Sequence, residues 1–212
     1  MKIVASLLAI AFISGCAWKS PDVRLNTATS PSANYKVIDK PREAVWDASV
    51  PELGNQFFVV NNLDKSSGLI NISYSGDPEK FIDCGNITSY VKTTQGERSY
   101  DFPGARAQAI YEKMNGDVLF HIDRKMSVEA RVNLVFEEIN PNQTKVTAKT
   151  FYIVQKNVTA RRADNNFSQS WSDSISFKTG GSSPLPNDGN SAAATVCMAN
   201  GELEREILSA IK

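Results

Sequence analysis

The chain has 212 residues, and its 23 basic and 23 acidic side chains give a formal net charge of zero. This balance gives no indication of a nucleic-acid partner, because nucleic-acid-binding domains usually carry a strongly basic surface. The hydrophobic content of 42% supports a packed core, and 12 glycines and 9 prolines are too few for a collagen-like chain.

Residues 1–15 have the pattern of a secretion signal. Lys2 places a positive charge at the start, and residues 3–14 form an apolar run without any charge. This run is too short for a membrane-spanning helix, which needs about 20 residues, but it suits the apolar part of a signal peptide. Removal of the signal would leave 22 basic and 23 acidic residues, a net charge of −1.

The segment Ile13-Ser14-Gly15-Cys16 comes after this apolar run and resembles the bacterial lipobox, although the family pattern favours Leu where Ile13 stands. The resemblance implies cleavage just before Cys16, lipid modification of its thiol and acylation of its new amino group. Ala17 is next to the cysteine, where lipoproteins retained in the inner membrane often carry Asp, so the implied location is the outer membrane, facing the periplasm. Several acyl chains would anchor the chain stably, whereas one alone would not.

The expected organisation is a signal peptide at residues 1–15, a lipidated N-terminus with a flexible tether at 16–34, and one domain at 35–212. The tether segment is rich in Ser, Thr, Pro and Asn and has no apolar period. Such a composition is typical of a flexible linker.

The first part of the domain predicts a strand, a helix and a β-hairpin. A strand at Tyr35–Asp39 precedes a helix that begins near Pro41 and ends near Gly54, with Pro51 expected to kink or end it. Two β-rich runs, residues 57–62 and 69–74, flank a polar turn and predict a hairpin.

The remaining chain predicts further strands and a terminal helix. The clearest alternation of apolar and polar residues marks a hairpin at 126–139 and 145–155. Additional strands are expected at 86–94, 118–122 and 171–177, whereas 95–106 and 179–195 have the polar, Gly- and Pro-rich composition of loops. The helix at 201–211, with Asn200 as cap, would bury its Leu and Ile residues and expose Glu202, Glu204, Arg205 and Glu206.

This order predicts an α+β domain, in which an N-terminal and a C-terminal helix pack on one face of an antiparallel sheet. The order is similar to a helix-grip fold. Residues 35–74, with a strand leading through Pro41–Trp46 to a second strand at Gly68–Ile70, also resemble the lipoprotein C subunit of the outer-membrane β-barrel assembly machine. That resemblance implies an accessory role in an envelope assembly.

Cys84 and Cys197 are the two cysteines that remain after Cys16 is assigned to the lipid anchor. In an oxidising compartment such a pair tends to form a disulfide. The bond would close a loop of about 110 residues, for which chain entropy gives an ideal stabilisation of about 4–5 kcal/mol. The chain has no CxxC motif that would point to redox or metal chemistry instead.

The sequence offers no catalytic motif, and we expect no enzyme activity, no cofactor and no metal site. His121 is the single histidine and lies in an apolar strand, which favours a structural or surface role. Glu137 and Glu138 are adjacent, so on a strand their side chains point to opposite faces. Arg161 and Arg162 form a small basic spot, either near anionic headgroups or in a solvated turn.

Two functions remain open from the sequence. The first is a non-catalytic, membrane-anchored lipoprotein of the bacterial cell envelope, an accessory or docking subunit whose partners are membrane lipid, through acylated Cys16, and an envelope protein. The alternative is a periplasm-facing binder of a small apolar ligand or lipid, held in a cavity between helix and sheet. Fold alone does not decide between them.

Overall fold

The computed structural model describes residues 23–24 and 33–212. The two helices of this part of the chain are α1 (Arg42–Gly54) and α2 (Glu202–Ala210). Its strands are β1 (Val23–Arg24), β2 (Tyr35–Ile38), β3 (Val59–Asp64), β4 (Leu69–Gly76), β5 (Ile82–Asp83), β6 (Asn86–Thr93), β7 (Gly96–Pro103), β8 (Gln108–Asn115), β9 (Val118–Asn140), β10 (Gln143–Arg162), β11 (Ser168–Lys178), β12 (Ser182–Asn187) and β13 (Asn190–Ala199).

The strands form three antiparallel sheets. The largest has the order β11-β10-β9-β4-β3, with β2 beside one end of β10 and β8 beside one end of β9. The second sheet has the order β12-β13-β5, and the third has the order β1-β6-β7.

The predicted α+β helix-grip class is therefore wrong, because the protein is mostly β and has only two short helices in the part of the chain described. The error lies in segments whose composition predicts loops. Residues 95–106 contain β7, and residues 179–195 contain β12 and part of β13. Pro184 and Pro186 lie in β12, which is an edge strand of its sheet. Proline has no backbone N–H to donate, and an edge strand tolerates this because one of its sides has no neighbouring strand to bond.

A hairpin of two long strands, β9 with 23 residues and β10 with 20, runs the length of the largest sheet. Its apolar alternation was correctly predicted, but the two strands expected at 118–122 and 126–139 are one continuous strand. The charged run Asp123-Arg124-Lys125 hides this continuity in the sequence. The alternation itself is unbroken, because Arg124 occupies an inward-facing position between Ile122 and Met126.

One face of the long hairpin is buried along most of its length, and it carries two hydrophobic clusters. The first cluster packs against both helices; Trp46 of α1 lies edge-on to Phe136 of β9 with ring centroids 5.1 Å apart. The second cluster lies toward the other end of the hairpin and includes Ile87, Phe102 and Tyr111. Helix α1 continues past Pro51 to Gly54, and the predicted apolar face of α2 is buried.

The predicted disulfide between Cys84 and Cys197 is confirmed, with an S–S distance of 2.07 Å and a sequence separation of 113. Both cysteines are buried. The bond joins β13 to the segment between β5 and β6. Gly104 packs against this segment so closely that a Cβ there would lie 2.6 Å from the carbonyl oxygen of Cys84.

The lipid-anchor prediction at Cys16 and most of the predicted tether at 16–34 lie outside the described residues. Within that segment, Val23 and Arg24 pair with Ile87 and Asn86 of β6. Among the described helices, neither has the length and apolar character needed to cross a bilayer.

Replacing both cysteines, as in C84A/C197A, should lower the free energy of unfolding by about 2–5 kcal/mol, because the unfolded chain loses a long covalent loop. Urea titration of the native and variant proteins measures this difference. Mass spectrometry of the unreduced native protein that found both thiols free would contradict the assignment.

Candidate functional site

Two cations lie in the buried face of the long hairpin, between its two hydrophobic clusters. Arg124 of β9 is 1% exposed and Lys156 of β10 is fully buried. Asp188, in the turn between β12 and β13, meets both: its two carboxylate oxygens lie 3.2 Å from Arg124 Nε and 3.0 Å from Lys156 Nζ. An unpaired charge at this depth would be strongly destabilising, so the carboxylate is required by the two cations.

Three neighbouring side chains complete this group, which we call the buried ionic cluster. Lys156 Nζ also lies 3.1 Å from Asp173 Oδ2 of β11 and donates a hydrogen bond to the carbonyl of Pro186. Tyr111 donates from its hydroxyl to Asp188 Oδ2 at 2.9 Å, and Lys113 donates to the Asp188 carbonyl at 2.7 Å.

Burial shifts the pKa values of three members of the cluster, Tyr111, Lys113 and Arg124. It raises the pKa of Tyr111, and the negative charge of Asp188 adds to this effect. Burial also lowers the pKa of Arg124 and of Lys113, although the nearby Asp188 acts in the opposite direction on both pKa values. Arginine nevertheless stays protonated in proteins.

The contacts of the buried ionic cluster stabilise the fold. Its carboxylates already contact cations, and Asp188 holds the β12–β13 turn against β8, β9 and β10. The turn itself depends on Gly189, whose φ of +78° lies in the left-handed region that favours glycine. The cluster therefore fixes the position of a hairpin whose composition predicts a loop.

A second buried polar group joins α2 to the sheet. Tyr152 of β10 donates to Glu204 Oε2 at 2.8 Å, and Thr179 donates to Glu204 Oε1 at 2.8 Å. Burial raises the pKa of Tyr152, and the charge of Glu204 raises it further. The prediction that Glu204 faces solvent is wrong, because it lies four residues before Leu208 and therefore on the buried face of α2.

The other candidate residues do not converge on one site. His121 is half exposed, with Nδ1 3.5 Å from Glu112 Oε1. Glu137 and Glu138 are exposed near the turn of the long hairpin. Arg162 pairs with Asp164 at 2.8 Å on the surface.

A cleft of about 630 Å³ lies on the outer face of the largest sheet. The side chains that alternate outward at its centre include Arg131 and Asn133 of β9 and Lys149 and Phe151 of β10. Their neighbours in sequence, such as Val132, belong to the buried face that packs under the helices. We call this feature the basic cleft; its lining is Asn34, Asn61, Asn71, Ile72, Arg131, Val132, Asn133, Lys149, Thr150, Phe151, Lys178 and Thr179.

Strand register sets the arrangement within the basic cleft. Phe151 pairs with Arg131 on one side and with Lys178 of β11 on the other. In the next row, Asn133 pairs with Lys149 and with Asn71 of β4, and the amide of Asn71 donates a hydrogen bond to that of Asn133. The cleft thus combines cations, amides and one half-buried aromatic ring.

Comparison with known proteins adds no relative: no protein-family model matches the chain, and no significant match was found among curated proteins or solved structures. Across the described residues, no three His, Cys, Asp or Glu side chains are grouped so that they could hold a metal ion.

Changing Asp188 to Asn should lower the free energy of unfolding by about 3–5 kcal/mol, because Arg124 and Lys156 lose their shared countercharge in a buried setting. Chemical denaturation of both proteins at neutral pH measures the loss. The matched control is D164N, which removes the same charge from the exposed pair with Arg162 and should change stability by only about 0–1 kcal/mol. Equal effects of the two substitutions would contradict a structural role for the cluster.

The stability difference between the native protein and Y152F should shrink as the pH rises from about 9 to about 11. The pKa of Tyr152 is raised above its ordinary value of 10.0 in the folded state. Above that value the unfolded chain loses a proton that the folded protein keeps, so native stability falls, while the phenylalanine variant lacks this proton. Urea titrations at a series of pH values check this, and a difference that grows with pH would contradict it.

Proposed function

We propose that the protein is a non-catalytic, membrane-anchored lipoprotein of the bacterial cell envelope that serves as a docking subunit for an envelope protein. The observation that carries this proposal is the division of the cations between the two faces of the long hairpin. Buried cations such as Lys156 form ion pairs with carboxylates inside the fold, as with Asp188 of the β12–β13 turn. Exposed cations such as Arg131 and Lys149 instead line the open basic cleft.

The sequence supports the anchoring part of the proposal. The lipobox-like segment ending at Cys16 supplies the attachment, and residues 17–22 supply a short length of chain between it and Val23–Arg24, which pair with β6 of the domain. This placement leaves the domain on the outer membrane, on the periplasmic side, within reach of partner proteins.

The packing of α2 favours docking over the alternative of an apolar ligand held between helix and sheet. Leu203 and Ile207 of α2 are fully buried, and so are Val146 and Ala148 on the sheet below them. Side chains of the protein itself fill the space that a ligand would need. The basic cleft, in contrast, is lined by amides and cations and is open.

The native chain should take up a labelled fatty acid in growing cells and should be recovered from crosslinked intact membranes together with a specific envelope protein. A C16A variant should take up no label, because the acylated residue is missing. Fluorescence of a clickable fatty acid and mass spectrometry of the purified crosslinked material are the two measurements.

The control is W18A, which alters the segment just after the lipobox and should keep the label. Label on C16A would refute the anchor. Recovery of the native protein without any partner, but with a lipid that organic solvent extracts from it, would refute docking in favour of the ligand-binding alternative.

A further inference from the structure

The basic cleft contains cationic side chains that form no ion pair with the described residues of the protein. Its lining includes Arg131, Lys149 and Lys178 but no acidic residue. Within the described part of the chain, none of these three forms an ion pair with a carboxylate. Glu129 lies on the same face two residues before Arg131, and it also forms no ion pair there. The cleft is therefore complementary to an anionic partner.

The spacing of the charges suits an extended peptide. Neighbouring strands lie about 4.8 Å apart, so Phe151 has Arg131 on one side and Lys178 on the other at that spacing. Lys149 is two residues from Phe151 along β10, a distance of about 6.5–7 Å. An extended chain repeats its side chains on one face at the same interval. A peptide that runs along β10 can therefore place an acidic residue at Lys149 and, two positions further, an apolar residue at Phe151. Arg131 and Lys178 then lie on either side of that ring.

The other side chains of the cleft suit a peptide as well. Asn71 and Asn133 offer amide donors and acceptors of the kind that bind a peptide main chain. Phe151 is half-buried within the cleft, whereas an aromatic side chain that inserts into a bilayer is typically exposed. This position favours a protein segment over a lipid headgroup.

We propose that the basic cleft binds an acidic, extended segment of the envelope partner. An apolar side chain of that segment packs on Phe151, and its carboxylates pair with Arg131, Lys149 and Lys178. This inference rests on the docking function proposed above and adds the site and the chemistry of the partner.

A photoreactive phenylalanine analogue (p-benzoylphenylalanine) in place of Phe151, in the full-length anchored chain, provides the test. Irradiation of intact cells should give a protein adduct, and mass spectrometry should place the crosslink in a peptide with at least two Asp or Glu residues near the attachment point. Adding R131E/K178E should reduce the adduct at least about tenfold, since these substitutions turn attraction into repulsion.

The matched control adds K125E/R161E to the same photoreactive chain. Lys125 and Arg161 are exposed on the outward positions of β9 and β10, outside the cleft lining, and their reversal changes the net charge equally. The adduct should stay within about twofold of the unreversed chain. Circular dichroism and the intact disulfide confirm that both charge-reversed variants fold.

Several results would overturn the proposal: an adduct that survives R131E/K178E, a crosslinked peptide without acidic residues, an adduct with glycan or lipid, or no adduct at position 151. If a partner is still recovered from crosslinked membranes, only the cleft assignment fails. If no partner is recovered with the native chain either, the docking function fails as well.

Discussion

The fold depends on the neutralisation of two cations in the buried face of the long hairpin. Arg124 and Lys156 lie in a mostly apolar surface, between its two hydrophobic clusters. Without a countercharge, their burial would be strongly destabilising. Asp188 meets this requirement for both, so the turn that carries it can occupy only one position on the sheet.

The position of Asp188 constrains the whole C-terminal part of the chain. The β12–β13 hairpin is held at its turn by the buried ionic cluster and near its other end by the disulfide at Cys197. Leu185, between them, is fully buried against the sheet. Helix α2 then starts three residues after β13, and Glu204 bonds to Tyr152 on the same sheet. Ionic, covalent and hydrogen-bonded contacts thus hold one continuous segment in place.

The sequence predicts the local patterns of this protein well and its long-range contacts poorly. The alternation at 126–139 and the apolar side of the last helix are periodic, and the structure has both. Residues 179–195 look like a loop, because their order comes from contacts with distant strands rather than from their composition. The contact between Arg124 and Asp188 leaves no trace in either local sequence. Glu204, in contrast, could have been placed from its four-residue spacing to Leu208.

Strand β10 carries one lysine on each face of the largest sheet, and the two have different roles. Lys149 and Lys156 are identical side chains on the same strand, but they are an odd number of positions apart, so they point to opposite sides of the sheet. Lys156 is fully buried and contacts two carboxylates, whereas Lys149 is exposed and lines the basic cleft. The inward cation has a partner because burial of its charge without one would be strongly destabilising. Water solvates the outward cation, so Lys149 needs no countercharge within the protein. Its charge is therefore available to a partner molecule.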